Sequence, residues 1–310
     1  MTIKAMKAPA LRSRKRVNWD LFLLALPGLA LLFAFYYAPL FGLVIPFKQI
    51  DYAKGILGSD WAGFRNFEFF FKSQDFFRVT RNTLGLNFLF IILSQAVSLL
   101  LALILFELSR KQVKVYQTAM FIPYFISWVV ASYVLYALLN PVSGLFPHFL
   151  KTLGREISNI YTTPGYWPFI LSASYIWKSC GYTTLIYYAA LMGMDPTYFE
   201  AAIVDGANKP QITFNISIPF LGPLIILLTI LKIGNIFYSD FGMFYFLTRD
   251  SGLLYSVTDV IDTYVYRALR VTGDIGMSSA VGFYQSIVGF LLVLGTNLVV
   301  RRINRESAIF

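Results

Sequence analysis

The sequence predicts an all-α membrane protein with six transmembrane helices. Three observations carry that reading. Of the 310 residues, 57% are hydrophobic and only 14% are charged. Phe and Tyr number 30 and 20, more than one water-soluble core uses. Apolar runs of about 20 residues recur, the length that crosses ~30 Å of hydrocarbon at ~1.5 Å per helical residue. In lipid such runs satisfy their own backbone amides only as helices.

Taken in order, residues 1–20 form a basic tail with Lys4, Lys7, Arg12, Arg14, Lys15 and Arg16. The first transmembrane helix is read at 21–45. The basic-then-apolar start resembles a signal peptide, but the run ends in Tyr36-Tyr37-Ala38-Pro39 without a small-x-small cleavage site, so a retained helix is expected. An external loop at 46–82 follows. The five-helix core, 83–300, places spans at 83–105, 118–139, 167–191, 220–238 and 279–300, with a cytoplasmic loop at 192–219 and an external loop at 239–278. The fifth span has the weakest pattern because it carries Lys232, Asn235 and Asp240. A tail at 301–310 holds Arg301, Arg302 and Arg305.

Positive charge fixes the orientation. Both tails and the short connection with Arg110, Lys111 and Lys114 fall on one side of a six-span chain, which the positive-inside tendency makes cytoplasmic. Lys48, Arg65, Arg78, Arg81, Arg267 and Arg270 on the other side reduce the bias. The formal charge of +10 is therefore assigned to topology and anionic lipid, and no nucleic-acid partner is expected. A single cysteine, Cys180, excludes an intrachain disulfide, and a single histidine, His148, excludes a His-rich metal site. No G-x-x-x-x-G-K phosphate loop occurs, so ATP hydrolysis, if used, belongs to another chain.

Both polar loops have local order. In 239–278, Ser256 with Asp259 fits a capping box. Val257, Val260, Ile261, Tyr264, Val265 and Ala268 then make one apolar face, opposed by Asp259, Asp262, Thr263 and Arg267, which predicts an amphipathic helix at the outer surface. That helix either plugs the bundle or meets a substrate-delivering protein. In 192–219, Asp195 caps a helix beginning at Pro196 and ending near Val204, and Gly206 suits a left-handed stop. Asn208-Lys209-Pro210 opens a second short helix, and Pro219 marks entry to the fifth span. The result is a short rigid ledge across the membrane face, with Phe199 and Ile203 on one side, small Ala201 and Ala202, and exposed Glu200 and Asp205.

This loop resembles the E-A-A, three residues, G, nine residues, I-x-L-P signature of the membrane subunits of binding-protein-dependent ABC importers. Glu200, Ala201, Ala202, Gly206, Ile216 and Pro219 match it, and Ile218 stands where the family usually has Leu. The resemblance implies the type I importer permease fold and an ATPase-coupling role for Glu200, Ala201, Ala202, Asp205, Gly206, Ile216 and Pro219. Arg81-Asn82-Thr83 and Val260-Ile261-Asp262-Thr263-Tyr264-Val265-Tyr266-Arg267 are similar to the sugar-importer branch, nearest to the permeases for complex or acidic oligosaccharides. By the same resemblance the partners are a second permease, two cytoplasmic ATPases that use ATP and Mg, and an extracellular solute-binding protein. No cofactor is expected on this chain, nor catalytic residues. The location is a bacterial cytoplasmic membrane.

Polar residues in apolar spans are costly, about 2.5–3.5 kcal/mol for a lysine at mid-span, unless they face a cavity or the bundle interior. Lys178 and Lys232 are the candidates, with Trp177, Tyr187 and Asn235, for a substrate path. Asn87, Gln95, Tyr188 and Gln285 are polar groups of the same kind, and Tyr182 and Phe237 could stack on sugar rings. Each also has a structural reading: lysines snorkel, amides join helices, and aromatics populate interfaces. Rival functions are an importer permease for a non-sugar solute, an ion-driven secondary transporter and a membrane-embedded enzyme. No buried carboxylate pair or activated nucleophile supports the last two.

Overall fold

In a computed structural model of the chain, residues 19–154 and 158–303 are described. The basic residues Lys4 to Arg16, and Arg305, lie outside them. Of the described residues, 19–44 belong to a unit of their own. It contains α1 (Trp19–Leu32), where no residue is buried; an 18-residue window of the helical run Trp19–Phe47 reaches a mean hydropathy of 2.1.

The second unit begins at Ile45. The all-α expectation is modified at its start. Lys48–Gln49 (β1) and Asp60–Trp61 (β2) form a small antiparallel pair flanking α2 (Gly55–Gly58). The buried Lys48 ammonium holds this hairpin by donating to Leu57 O (2.7 Å) and Ser59 O (3.1 Å). Next come α3 (Arg65–Lys72) and α4 (Gln74–Phe106). Ser73 caps α4 by accepting from Phe76 N, so the helix begins nine residues before the expected 83. Arg78, Arg81 and Asn82 consequently project from a helix instead of a loop.

The expected continuous span 118–139 is two helices. α5 (Arg110–Phe125) and α6 (Trp128–Leu139) meet at 101°. Pro123 removes one helical amide, and Ser127 accepts from Val130 N to start the next helix. α7 (Leu145–Thr152) leads to α8 (Trp167–Met192), then α9 (Thr197–Val204) and α10 (Lys209–Ile212). A π-helical turn at Thr213–Ser217 joins α10 to α11 (Ile218–Gly234). Helix is thus continuous over Lys209–Gly234, and Pro219 lies inside it instead of at its entry. The wider π turn accommodates the missing proline amide. At the other end α11 stops at Gly234, four residues short of the expected 238, so Asn235 occupies the cap position.

α12 (Tyr255–Thr258), α13 (Ile261–Arg270) and α14 (Ile275–Ile303) complete the chain. The runs Trp19–Phe47, Gln74–Phe106, Lys209–Gly234 and Ile275–Arg302 are long and apolar enough to cross a membrane; the bent α5–α6 pair makes five if counted once. α8 has 26 residues, ample length, but carries Trp, Tyr, Ser, Thr and Lys178.

Small hydroxyl residues bring the core helices close. Fully buried Ser94, Ser98 and Thr184 sit where α4 meets α8 and α11: Ser98 Oγ donates to Cys180 O (3.2 Å) and Thr184 Oγ1 to Ser98 O (3.3 Å). This is the packing chemistry of helices that lack a water-driven hydrophobic effect between them. α5 approaches α8 more closely still. A Cβ on Gly181 would fall 2.0 Å from Met120 O, so no side chain fits between the two backbones.

Candidate functional site: a coupling ledge, an ion-paired cap and a helix corner

The ledge is built as its sequence dictates. Asp195 Oδ1 accepts from Thr197 N (3.0 Å) and starts α9. Gly206 ends it at φ +80°, with Gly206 N donating to Ile203 O and Ala207 N to Ala202 O. These two bonds are a Schellman motif, which satisfies carbonyls that a helix end would leave open. Asn208 and Gln211 then bond each other's backbone amides, at 2.7 and 3.0 Å, to start α10.

The two apolar residues expected on one side separate. Phe199 packs on Phe106 at the end of α4, ring centroids 5.3 Å apart, while Ile203 is exposed together with Tyr198 and Val204. Lys209 pairs with Glu107 at 2.5 Å. The ledge is thus attached to the end of α4 through Phe199 and Lys209. It leaves Glu200, Ala201, Asp205 and an apolar strip free, with Ala202 and Ile216 half-buried and Pro219 exposed.

Asn82 lies about two turns inside the other end of α4, on the order of 35 Å from Phe106 at the helical rise. There two sequence segments separated by more than 170 residues meet. Asn82 Nδ2 donates to Asp259 O (3.1 Å), Arg81 Nη2 to Ser256 O (2.8 Å), and Ile261 N donates to Thr83 Oγ1 (3.0 Å). The expected Ser256–Asp259 capping box does not form. Asp259 is buried and accepts from Arg78 (2.9 Å) and Arg267, and Thr263 Oγ1 accepts from Val260 N instead.

The helix α13 is therefore not one-sided. Its apolar residues Ile261 and Ala268 are buried, as is Val260 at the cap position, but so are Asp259 and Thr263 of the face expected to meet water. Asp262 is half-buried, accepting from Ser239 N (2.8 Å) and Gln285, and burial raises its carboxyl above the ordinary value. The cap is a packed, ion-paired lid on α4 and α14.

The candidate path residues are dispersed. Lys178 stands at the α5–α6 corner: Nζ donates to Tyr124 O (3.0 Å) and to Ile126 O and lies 5.3 Å over the Trp128 ring. It neutralises the carbonyl end of α5. Trp177 borders a cavity of about 270 Å³ with Trp128, Ala131 and Leu247. Tyr187 is fully buried among Ala102, Leu191 and Leu221. Lys232 donates to Ser94 Oγ (2.8 Å), joining α11 to α4. Asn235 is exposed and donates to Leu231 O.

Gln95 joins α4 to α11 through Thr229, while Asn87 ties α4 to the segment after α11 through Ile236 O and Ser239, and Gln285 ties α14 to Phe237 O and to Asp262 of α13. Tyr188 packs beside Tyr187, Tyr182 stacks on Tyr124 at 5.2 Å, and Phe237 is buried against Tyr284. Sequence reasoning missed Trp128 and named Asp240 only as a weak point of the fifth span, whereas their indole–carboxylate bond ties the corner to the segment after α11. The proline and serine flanking the corner were its available signal.

A ledge with free charged and apolar groups at one end of a helical bundle, and a rigid cap at the other, defines the membrane component of a transporter worked from outside itself. A model described as binding-protein-dependent transport system inner membrane component matches residues 98–305, and the chain belongs to that family. It is 34% identical to Protein LplB of Bacillus subtilis (strain 168) over 98% of each chain. It is likewise 34% identical to the polygalacturonan/rhamnogalacturonan transport system permease protein YteP of the same organism, over 93% of this chain and 89% of that one. Among solved structures it is similar to a chain of a bacterial ABC transporter involved in the import of the acidic polysaccharide alginate. The TM-score is 0.85 and the identity 31%, covering 93% of this chain and 96% of that one. It is similar too to a chain of a bacterial alginate ABC transporter in complex with an alginate pentasaccharide-bound periplasmic protein, with a TM-score of 0.84 and 31% identity over 92% of this chain and 95% of that one.

Proposed function

We propose that this chain is one of two permease subunits of an ATP-driven importer that carries an acidic or otherwise complex oligosaccharide across a bacterial cytoplasmic membrane. The observation that carries the reading is the ledge at 195–219. It is rigidly capped at both ends, fixed to α4 through Phe106, and free on the face that bears Glu200, Ala201 and Asp205. A cytoplasmic ATPase grips that face, with Gly206 setting its end, and Ile216 and Pro219 continue the push into α11. Six spans, counting the α5–α6 pair once and including α8, leave both termini and the ledge on the cytoplasmic side. The cap then lies outside, where a binding protein delivers sugar.

This chain supplies alternating access: closure of two ATPases shifts the ledge, and tightly packed helices pass the displacement on as a change between two discrete packings. It carries no cofactor of its own; ATP and Mg belong to the ATPases. The substrate class follows from the polyuronide and alginate systems with which the chain shares about a third of its residues. The test is to purify the complex with its partner permease, ATPases and binding protein and to assay ATP hydrolysis against a panel of oligosaccharides. Stimulation by an oligosaccharide is expected; stimulation only by amino acids, peptides or phosphate overturns the substrate class.

A further inference from the structure

The segment joining the fifth span to the cap contains two consecutive non-glycine residues in the left-handed region, Arg249 at φ 57° and Asp250 at φ 46°. Such a conformation is disfavoured for a residue that bears a β-carbon and persists only where the surroundings hold it. Here the turn is held by Arg249 N donating to Phe246 O and Asp250 N to Tyr245 O. Its effect is to send two neighbouring, opposite charges to different partners. Asp250 turns toward the cap, where Arg267 Nη1 and Tyr255 Oη donate to it, both at 2.9 Å. Arg249 is left with no ion pair or hydrogen-bond partner for its guanidinium among the described residues. It lies 4.2 Å above the Tyr136 ring.

That guanidinium borders a cleft of about 270 Å³ lined also by Ser132, Tyr133, Tyr136, Tyr245 and by Asp250, whose carboxylate is paired with Arg267. The volume is below the ~300–1,000 Å³ of sites that enclose whole drug-sized ligands and on the scale of one sugar ring. Tyr245 is pinned by the rings of Phe241, Phe246 and Tyr266, at 5.0 to 5.3 Å. Tyr133 is 71% exposed and has no ring or hydrogen-bond partner among the described residues. The cleft therefore offers a free aromatic face, phenolic hydroxyls and an unneutralised planar cation. Those are the three groups that a pyranose bearing a carboxylate requires: a flat apolar face to stack, hydroxyls to bond and a fork for the carboxylate. Through Asp250 and Arg267 it adjoins the cap, at the end of α4 remote from the ledge.

We infer that Arg249, with Tyr133, Tyr136 and Tyr245, forms a contact site for a uronate ring of the passing saccharide and gives the permease a preference for acidic over neutral chains. The inference rests on the oligosaccharide reading above. The anion could instead be a lipid phosphate, and the experiment separates the two. Cells bearing the complete transporter are offered uronate trimers of the galacturonate and mannuronate types, and the same trimers with their carboxyls reduced to neutral hydroxymethyl groups. For Arg249→Gln, the ratio of acidic to neutral uptake is expected to fall about tenfold relative to wild type, the loss of one charge-assisted contact. For Arg249→Lys, which keeps charge without the planar fork, the fall is smaller. Membrane levels of the assembled complex are measured alongside, and the ratio within each variant cancels differences in amount. Equal loss of acidic and neutral uptake assigns Arg249 to lipid or to structure and overturns the site, as does an unchanged ratio. Wild-type cells that take up neither type of trimer refute the underlying oligosaccharide reading instead.

Discussion

Replacing Lys178 with methionine separates a structural from a substrate-binding role for the α5–α6 corner. Methionine keeps much of the apolar stem and deletes the ammonium. The deletion removes the bonds to Tyr124 O and Ile126 O and the contact with Trp128. A hydrogen bond from a charged donor contributes about 1.5–3 kcal/mol, and a cation over an aromatic ring about 0.5–1 kcal/mol at an accessible site. Lys178 is half-buried, so water reaches part of the vacated carbonyls and the net loss is about 2–4 kcal/mol. The assay is thermal unfolding of the purified transporter alongside uptake of acidic and neutral oligosaccharides. The expected result is a lower apparent melting temperature, by a few degrees, with both uptakes reduced in parallel. Unchanged unfolding with selective loss of the acidic substrate would refute the reasoning and make Lys178 a substrate contact.

Three further outcomes are expected. Gly181→Ala forces a Cβ to within 2.0 Å of Met120 O, so α5 and α8 must separate; the cost is about 3 kcal/mol or more. Gly222→Ala, with open space around it, should be tolerated, and equal yields of the two assembled variants would contradict the close approach. Gly206→Val places a β-branched residue at φ +80°, costs about 1–2 kcal/mol and should weaken retention of the ATPases in a pull-down, more than Gly206→Asn does. Undiminished retention by the valine variant counts against the ledge.

The third outcome concerns pH. Burial raises the Asp262 carboxyl above its ordinary 3.8 in the folded chain. As pH climbs from that value through the raised one, the unfolded chain releases its proton first, so the folded state loses stability across this window. Asp262→Asn removes the titration and should flatten the decline of melting temperature between pH 4 and neutrality. Identical slopes in the two proteins would exclude Asp262 as its source.

The ledge was legible because its determinants are local: Asp195, Gly206 and Asn208 each act within three residues of the bond they make. The long apolar runs at 83–105 and 279–300 likewise located the cores of α4 and α14. The capping of α13 was not legible. Ser256 and Asp259 have suitable spacing, but Arg78, 181 residues away, and Arg267 take the carboxylate, and no local pattern announces a distant ionic partner. The start of α4 was misplaced for a related reason. Arg78 and Arg81 read as loop residues because their partners lie in the cap. The third span shows the opposite failure: Pro123 and Ser127 carried the information, and the continuous hydropathy around them masked it.

The right-angled turn between α5 and α6 has one more implication. Each half-helix ends in partial charge, negative at the carbonyls of α5 and positive at the first amides of α6. Lys178 meets the former and Ser127 the latter, the serine with a neutral hydroxyl alone. An otherwise oily stretch thereby holds a lysine, a serine and, through the Trp128 indole, the Asp240 carboxylate around one bend. A right-angled break is thereby tolerated at membrane depth, because the peptide groups it would strand find partners within the chain.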